Sequence, residues 1–307
     1  MHEKLPFRSK FLYGFTDLGF SIAYTIPAFY LLIFLTDVVN FPPALAGTLL
    51  LLAKIWDAVI DPVIGHLSDR TKTRWGRRRP YLLWFAVPFG LAFSLMWQIP
   101  RVASPVGQTL IILGAIFSFI TFFSLLSVPY SSLAPEMTRD YDERTKLNGY
   151  RMFFSIIGGL VAVLLPSYYF GLSSDLRYGY RVMGISLGVV LAVLPIFAFV
   201  GTEEKLAARQ ERVPLKKGLR LVLANRPYIL ALITYLLTWV AIDIISAVFI
   251  YYLKYWLDIS EENSNVIFGL IFIVAAVFLP CWVKYAERFG KKNAYFAGLG
   301  FLALIMF

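Results

Sequence analysis

Apolar blocks of about twenty residues recur along this sequence, and no other feature limits its fold as tightly. A helix needs about 20 residues to cross the ~30 Å hydrocarbon layer of a bilayer. The blocks run near 11–36, 44–67, 80–99, 107–130, 148–170, 180–200, 228–257 and 264–284, and a ninth begins near 293. Backbone amides find no water inside lipid, so a spanning segment must be a helix or part of a closed barrel. Barrel strands alternate over about ten residues; these blocks do not. The chain is 59% hydrophobic, against about 45–50% in a soluble domain. The expected fold class is therefore all-α membrane. Lys4, Arg8 and Lys10 precede a first block too long for a signal-peptide core, so it reads as a retained anchor. Cys281, the single cysteine, lies inside a block and reads as a packing residue.

The net charge of +10 would suit a nucleic-acid binder until the bases are located. The N-terminus and the loops after blocks two, four, six and eight hold 24 of the 29 lysines and arginines, with Arg151 counted beside its loop. The opposite loops hold Arg101, Arg177, Arg181 and Lys254, and Lys54 lies inside block two. That asymmetry places the N-terminus in the cytoplasm. The basic excess orients the chain and touches anionic lipid; no nucleic-acid partner is expected.

Residues 201–227 form the longest polar stretch, "EEKLAARQERVPLKKGLRL" within it, and divide six blocks (1–200) from the remainder (228–307). An amphipathic helix on the inner leaflet and a plain solvated linker both fit this stretch. "GHLSDRTKTRWGRRRPY" after block two is echoed by "VKYAERFGKKNAY" after block eight. Asp69-Arg70 corresponds to Glu287-Arg288, and Gly76-Arg77-Arg78 to Gly290-Lys291-Lys292. Repeats of this size mark carriers built from two related halves. A complete second half is expected to extend beyond Phe307, so the second bundle reads as incomplete here. Asp69, Arg70, Gly76, Arg77, Arg78, Glu287 and Arg288 are read as a cytoplasmic gate.

Charges inside the blocks carry the functional argument. A charged side chain at mid-bilayer costs about 2.5–3.5 kcal/mol even on the lenient insertion scale, and normally faces the bundle interior. Lys54, Asp57 and Asp61 lie at i, i+3 and i+7, on one helical stripe. Two neighbouring carboxylates repel unless a cation compensates. Lys54 is expected to offset one, leaving the other in need of a proton or a sodium ion. Asp57 and Asp61 are therefore the expected cation-coupling residues, with Na⁺ as the metal; hard oxygen ligands suit it, and no His/Cys cluster suggests a transition metal. Asp17, Tyr24, Lys54, Arg151 and Asp243 are the expected substrate contacts. Pro129 and Pro135 are expected to break the end of block four, and the charged run from Glu136 to Arg151 to form a salt-bridged latch. His66 reads as a packing residue.

"WDAVIDPVIGHLSDRTKTRWGRRRPY" and "VPYSSLAPEM", followed by "ER" and "YRM", resemble the glycoside-pentoside-hexuronide:cation symporter family, typified by the melibiose permease, within the major facilitator superfamily. The resemblance covers essentially the whole chain. It implies two pseudo-symmetric six-helix bundles rocking around a central site, with Asp57 and Asp61 at the family's cation-site carboxylates. It places Lys54 where the melibiose permease has an arginine, and Arg151 at a basic position of the fifth span. Two positions depart: Phe20-Ser21 replaces the sugar-gripping Lys-Asp pair, and Ser127 replaces a fourth-span aspartate of the cation site. An animal branch of the same family carries lysophospholipids with Na⁺. The expectation is a monomeric secondary transporter of the cell membrane, of bacterial inner-membrane type. It would bring in a sugar or glycoside with Na⁺ or H⁺, use no cofactor and catalyse no bond change. A lysolipid or amphiphile carrier, and a passive channel or non-transporting membrane protein, stand as alternatives.

Overall fold

A computed structural model of the chain describes residues 5–138, 140–204, 224–259 and 261–306. The described residues form helices joined by short turns: α1 Phe7–Ile33, α2 Pro43–Arg70, α3 Arg79–Trp84, α4 Ala86–Met96, α5 Pro105–Met137, α6 Tyr141–Phe170, α7 Leu176–Gly201, α8 Arg226–Tyr251, α9 Glu261–Phe289 and α10 Lys291–Met306. Among the described residues six helices are long and apolar enough to cross a membrane. The amphipathic segment considered within 201–227 falls largely outside the described residues.

The expected third block divides into α3 and α4 at Phe85. Pro88 has no N–H to return to the Trp84 carbonyl, so the helix kinks one residue later. Pro129 and Pro135 act in the opposite sense to expectation. Both lie inside α5, which continues to Met137. Buried neighbours hold this stretch, and the Arg78 guanidinium donates to the Ser132 carbonyl within it, the substitution of partners that makes proline tolerable in membrane helices. Cys281 is exposed rather than packed, on a face of α9 that no described helix covers.

Small residues set the tightest helix contact. Gly90 of α4 lies against the Gly188 carbonyl of α7 with no room for a Cβ, and Ser94 Oγ donates to the Gly184 carbonyl at 2.9 Å. Close approach at such positions is the usual source of helix association in lipid. Aromatic side chains fill the remaining space: Trp97 stacks on Tyr180 at 5.6 Å, and Tyr13 stacks on Tyr130 at 4.5 Å.

The repeat read from the basic loops extends to the backbone. α1 ends in a π-turn, Phe34–Val38, and α8 in another, Tyr252–Trp256. Val39 N–H bonds the Phe34 carbonyl at 2.9 Å and Phe41 N–H the Leu35 carbonyl at 2.8 Å. Leu257 to Tyr252 (3.1 Å) and Ile259 to Leu253 (3.0 Å) repeat the pattern 218 positions later. Each turn closes on a left-handed residue, Asn40 (φ 60°) and Asp258 (φ 52°). The only other left-handed residues among those described are the loop glycines, Gly76 (φ 105°) and Gly290 (φ 87°). All four special backbone positions thus fall into pairs across the two halves.

Gly76 illustrates why sequence dictates that loop. Its positive φ favours glycine, and a Cβ there would run into the carboxylate of Glu204. Glu204 accepts from the N–H groups of Arg77, Arg78 and Arg79 at 2.7, 2.7 and 2.9 Å, filling the open donors at the start of α3. Gly76→Ala is expected to lower stability by about 1–3 kcal/mol, read as a fall in the midpoint of thermal unfolding in detergent. Gly290→Ala, which meets no neighbouring atom, isolates the backbone share of that effect.

Candidate functional site

α2 carries two unlike faces. Leu51, Ile55, Val59, Val63 and Leu67, spaced by four, are exposed apolar side chains. At about 100° per residue, Lys54, Asp57 and Asp61 project from the opposite side of the helix. Stacking of Trp56 on Phe117 (5.0 Å between centroids) and its Nε1–H donation to Thr121 Oγ1 at 3.0 Å fix the rotation of α2 against α5. That rotation brings Ser124 Oγ to 3.5 Å from Asp57 Oδ1. Ser124 precedes by three residues the Ser127 singled out by family resemblance, on the same helix.

Lys54, expected to offset one of the α2 acids, forms its ion pair on the other half of the chain. Its ammonium pairs with Asp243 Oδ2 on α8 at 2.8 Å, and Tyr24 of α1 donates to Asp243 Oδ1 at 2.7 Å. Lys54 also sits 5.5 Å above the Tyr24 ring. Contact between ammonium and carboxylate at that range is a charge-assisted hydrogen bond, and the second half of the chain supplies the carboxylate. Three of the five expected substrate contacts therefore meet at one point between the halves. Trp239 of α8 stands edge-on to Tyr24 at 6.1 Å and joins them.

Asp17 and Arg151 meet elsewhere. Arg151 Nη2 lies 3.4 Å from Asp17 Oδ1, and its guanidinium lies 5.0 Å from the Tyr130 ring centre. Tyr13 and Tyr130 each donate a hydroxyl to the other's backbone carbonyl, at 2.9 and 2.8 Å. This cluster ties α1, α5 and α6 within the first half. The charge ledger is then simple. Asp17 is matched by Arg151 and Asp243 by Lys54. Asp57 and Asp61 have no basic side chain within 4.0 Å among the described residues, and Asp61 Oδ1 is buried without a hydrogen-bond partner. Pro62, the next residue, also withholds an N–H from the Ala58 carbonyl between the two acids. Two carboxylates and one hydroxyl thus lie along this face, and oxygen groups of this type are the ligands that a hard cation takes.

At the end of the bundle that carries the basic loops, three of the expected gate residues, Asp69, Arg77 and Arg78, form a network with Glu136. Arg78 Nη2 bonds Asp69 Oδ1 at 2.7 Å, and its Nη1 lies 3.1 Å from Glu136 Oε1, which Arg77 also contacts. Glu143 accepts from Lys10, Lys146 and the Leu5 N–H at 3.1, 2.9 and 3.1 Å. Arg70 is exposed at the end of α2, and Arg288 of α9 lies 5.5 Å from the Phe289 ring. The Glu287 side chain and Arg139 lie outside the described residues. Glu204, which binds three successive N–H groups of the loop, was not legible in sequence because it falls where block six gives way to the polar stretch.

At the opposite end the halves are fastened together by residues that sequence did not single out. Asp37 Oδ2 accepts from Lys254 at 2.8 Å and from the Tyr255 hydroxyl at 2.9 Å. Thr36 Oγ1 bonds Asp37 Oδ1 at 2.8 Å and the Tyr251 hydroxyl. These groups sit on the two π-turns or beside them. The contacts named between the halves lie either here or around Asp243. A cavity of about 470 Å³ lies between the start of α1 and the end of α7, lined chiefly by Phe7, Phe11, Val193 and Phe197, with Arg8 as its one charged lining residue.

Comparison with known proteins adds the identity of the scaffold. Residues 12–307 match the model of the MFS/sugar transport protein family. The chain is 30% identical to an uncharacterized symporter of Synechocystis, over 96% of this chain and 70% of that one. It is 28% identical to the isoprimeverose transporter of Lactiplantibacillus pentosus, over 97% and 63%, and 28% identical to the sodium-dependent lysophosphatidylcholine symporter 1-A of Danio rerio, over 95% and 61%. The chain thus spans roughly two thirds of the length of these relatives. A membrane protein with these helices, this repeat and a match over 296 positions (12 to 307) belongs to the MFS/sugar transport protein family.

Proposed function

We propose that this chain forms the first bundle and part of the second in a cation-coupled symporter that takes up a sugar or glycoside by alternating access. The N-terminus and the basic loops lie in the cytoplasm in this reading, and the π-turns lie outside. One observation carries it: Asp57 and Asp61 stand on the face of α2 away from the exposed apolar stripe, with no basic partner among the described residues and with one buried oxygen unbonded. Their charge is balanced only when a cation is present, which is what ion coupling requires. Either Na⁺ or H⁺ meets the requirement. Tyr24 and Trp239 offer aromatic faces, and Lys54 and Asp243 offer hydrogen bonds. A sugar ring presents the complementary pair of an apolar face and hydroxyl edges.

A lysophospholipid is the second reading, and Lys54 supports it. The ammonium is about half exposed, placed to meet a phosphate. The Danio rerio relative, named for lysophosphatidylcholine, is as similar as the isoprimeverose transporter.

Uptake by the full-length protein in proteoliposomes separates the readings. Labelled sugars and labelled lysophosphatidylcholine are offered under a Na⁺ gradient alone and a pH gradient alone. Accumulation of a sugar above equilibrium under one gradient is the expected result. Accumulation of the lysolipid alone selects the second reading, and uptake indifferent to both gradients refutes coupling.

A further inference from the structure

We propose that Lys54 is a positioning residue that exchanges partners: it rests on the α2 acids when the ion site is empty, and moves to Asp243 when an ion takes its place. This deepens the cation-site reading above and rests on it.

The geometry shows one end of the exchange, and helix spacing allows the other. Lys54 precedes Asp57 by three residues, so their Cβ atoms are about 5–6 Å apart on one helix face and the long lysine stem spans the gap easily. In this structure the ammonium instead lies against the other half, 2.8 Å from Asp243 Oδ2. Tyr24 completes the site by donating to the other Asp243 oxygen at 2.7 Å. The acids left behind retain only Ser124 against Asp57 at 3.5 Å, while Asp61 Oδ1 is buried and unbonded. One cation thus stands among three carboxylates on two halves, and it forms an ion pair with only one of them here. The charged and titratable groups that face it are Tyr24 from α1, Asp57 and Asp61 from α2 and Asp243 from α8.

The consequence is coupling. An arriving ion satisfies the acids and releases Lys54, whose pairing with Asp243 draws α8 toward α1 and α2 about three helical turns from the π-turn contacts. Loss of the ion draws Lys54 back to α2 and leaves Asp243 bare, so the outer contacts part. The loaded carrier then favours the arrangement seen here, and the empty carrier favours its opposite. By linkage, whatever favours the Lys54–Asp243 pair must tighten ion binding by the same factor.

The test uses the full-length protein with Cys281 replaced by serine and spin labels at Leu45→Cys and Leu257→Cys, both exposed near the π-turn end. NaCl is titrated against choline chloride, and protons are titrated separately. Ion affinity and label separation are read together. In the parent protein the coupling ion shortens the separation. Asp243→Asn is expected to weaken ion affinity about tenfold and abolish the shortening, and Lys54→Gln to tighten affinity. The deciding measurement is the double variant: with Lys54→Gln in place, Asp243→Asn should change affinity less than twofold, because its effect travels through the lysine. Equal weakening with and without Lys54, or shortening that survives Asp243→Asn, overturns the exchange while the cation site stands. Absence of ion binding in the parent protein overturns both.

Discussion

Asp57→Asn abolishes gradient-driven accumulation. The asparagine keeps the size of the side chain and a hydrogen bond to Ser124, so the bundle folds and the stacking of Trp56 on Phe117 is untouched. What disappears is one of the two charges proposed to hold the ion. A charge about 4 Å from a bound cation contributes about 4 kcal/mol at an effective dielectric constant of ~20, close to a thousandfold in ion affinity. Substrate-for-substrate exchange, which needs no net ion movement, should survive better than uphill uptake. Proteoliposomes loaded with and without internal substrate measure the two separately, and undiminished uphill uptake refutes the role assigned to Asp57.

The second large effect concerns stability. Arg78 joins the end of α2 through Asp69, the end of α5 through Glu136 and the Ser132 carbonyl, and the end of α7 through its own N–H on Glu204. Its side chain is 11% exposed and that of Glu136 is 6% exposed. Arg78→Ala removes the guanidinium and leaves the buried Glu136 carboxylate, whose second oxygen already has no partner, to Arg77 alone. Leaving a buried charge wholly unpaired costs about 3–5 kcal/mol, and with Arg77 still in contact the loss is expected at the lower end of that range. Thermal unfolding in detergent should show it as the largest loss among single loop substitutions. Arg78→Lys should recover only part, since a point-like ammonium cannot bind Asp69, Glu136 and a carbonyl at once. A midpoint unchanged by Arg78→Ala would show that the network is ornamental.

Much of this architecture was legible in the sequence because lipid leaves few choices. Block length gave the helices, and the spacing of Lys54, Asp57 and Asp61 placed all three on one face. What sequence left open was which charge answers which. Asp243 and Tyr24 are 219 positions apart, and only the packing of two half-chains brings Lys54 to them. Local spacing argued for Lys54 with Asp57, a contact open to any helix, whereas the observed partner depends on a non-local approach. Asp37 was overlooked for a related reason. A lone acid at the end of an apolar block looks like an ordinary boundary until Lys254 arrives from the other half. Pro129 and Pro135 misled because their local effect is disruptive, yet neighbouring side chains outweigh it.

The paired π-turns have a consequence for descent from a common template. Shifted by 218 positions, Asp37 falls on Tyr255 and Thr36 on Lys254, and Asp37 touches both of those residues. Contacts of this kind straddle a pseudo-dyad, as in a two-fold dimer where a residue meets its own twin. Two identical halves would set aspartate against aspartate there and push the mouth apart. A closed mouth therefore demands that the halves differ in charge at this seam, however faithfully their backbones agree.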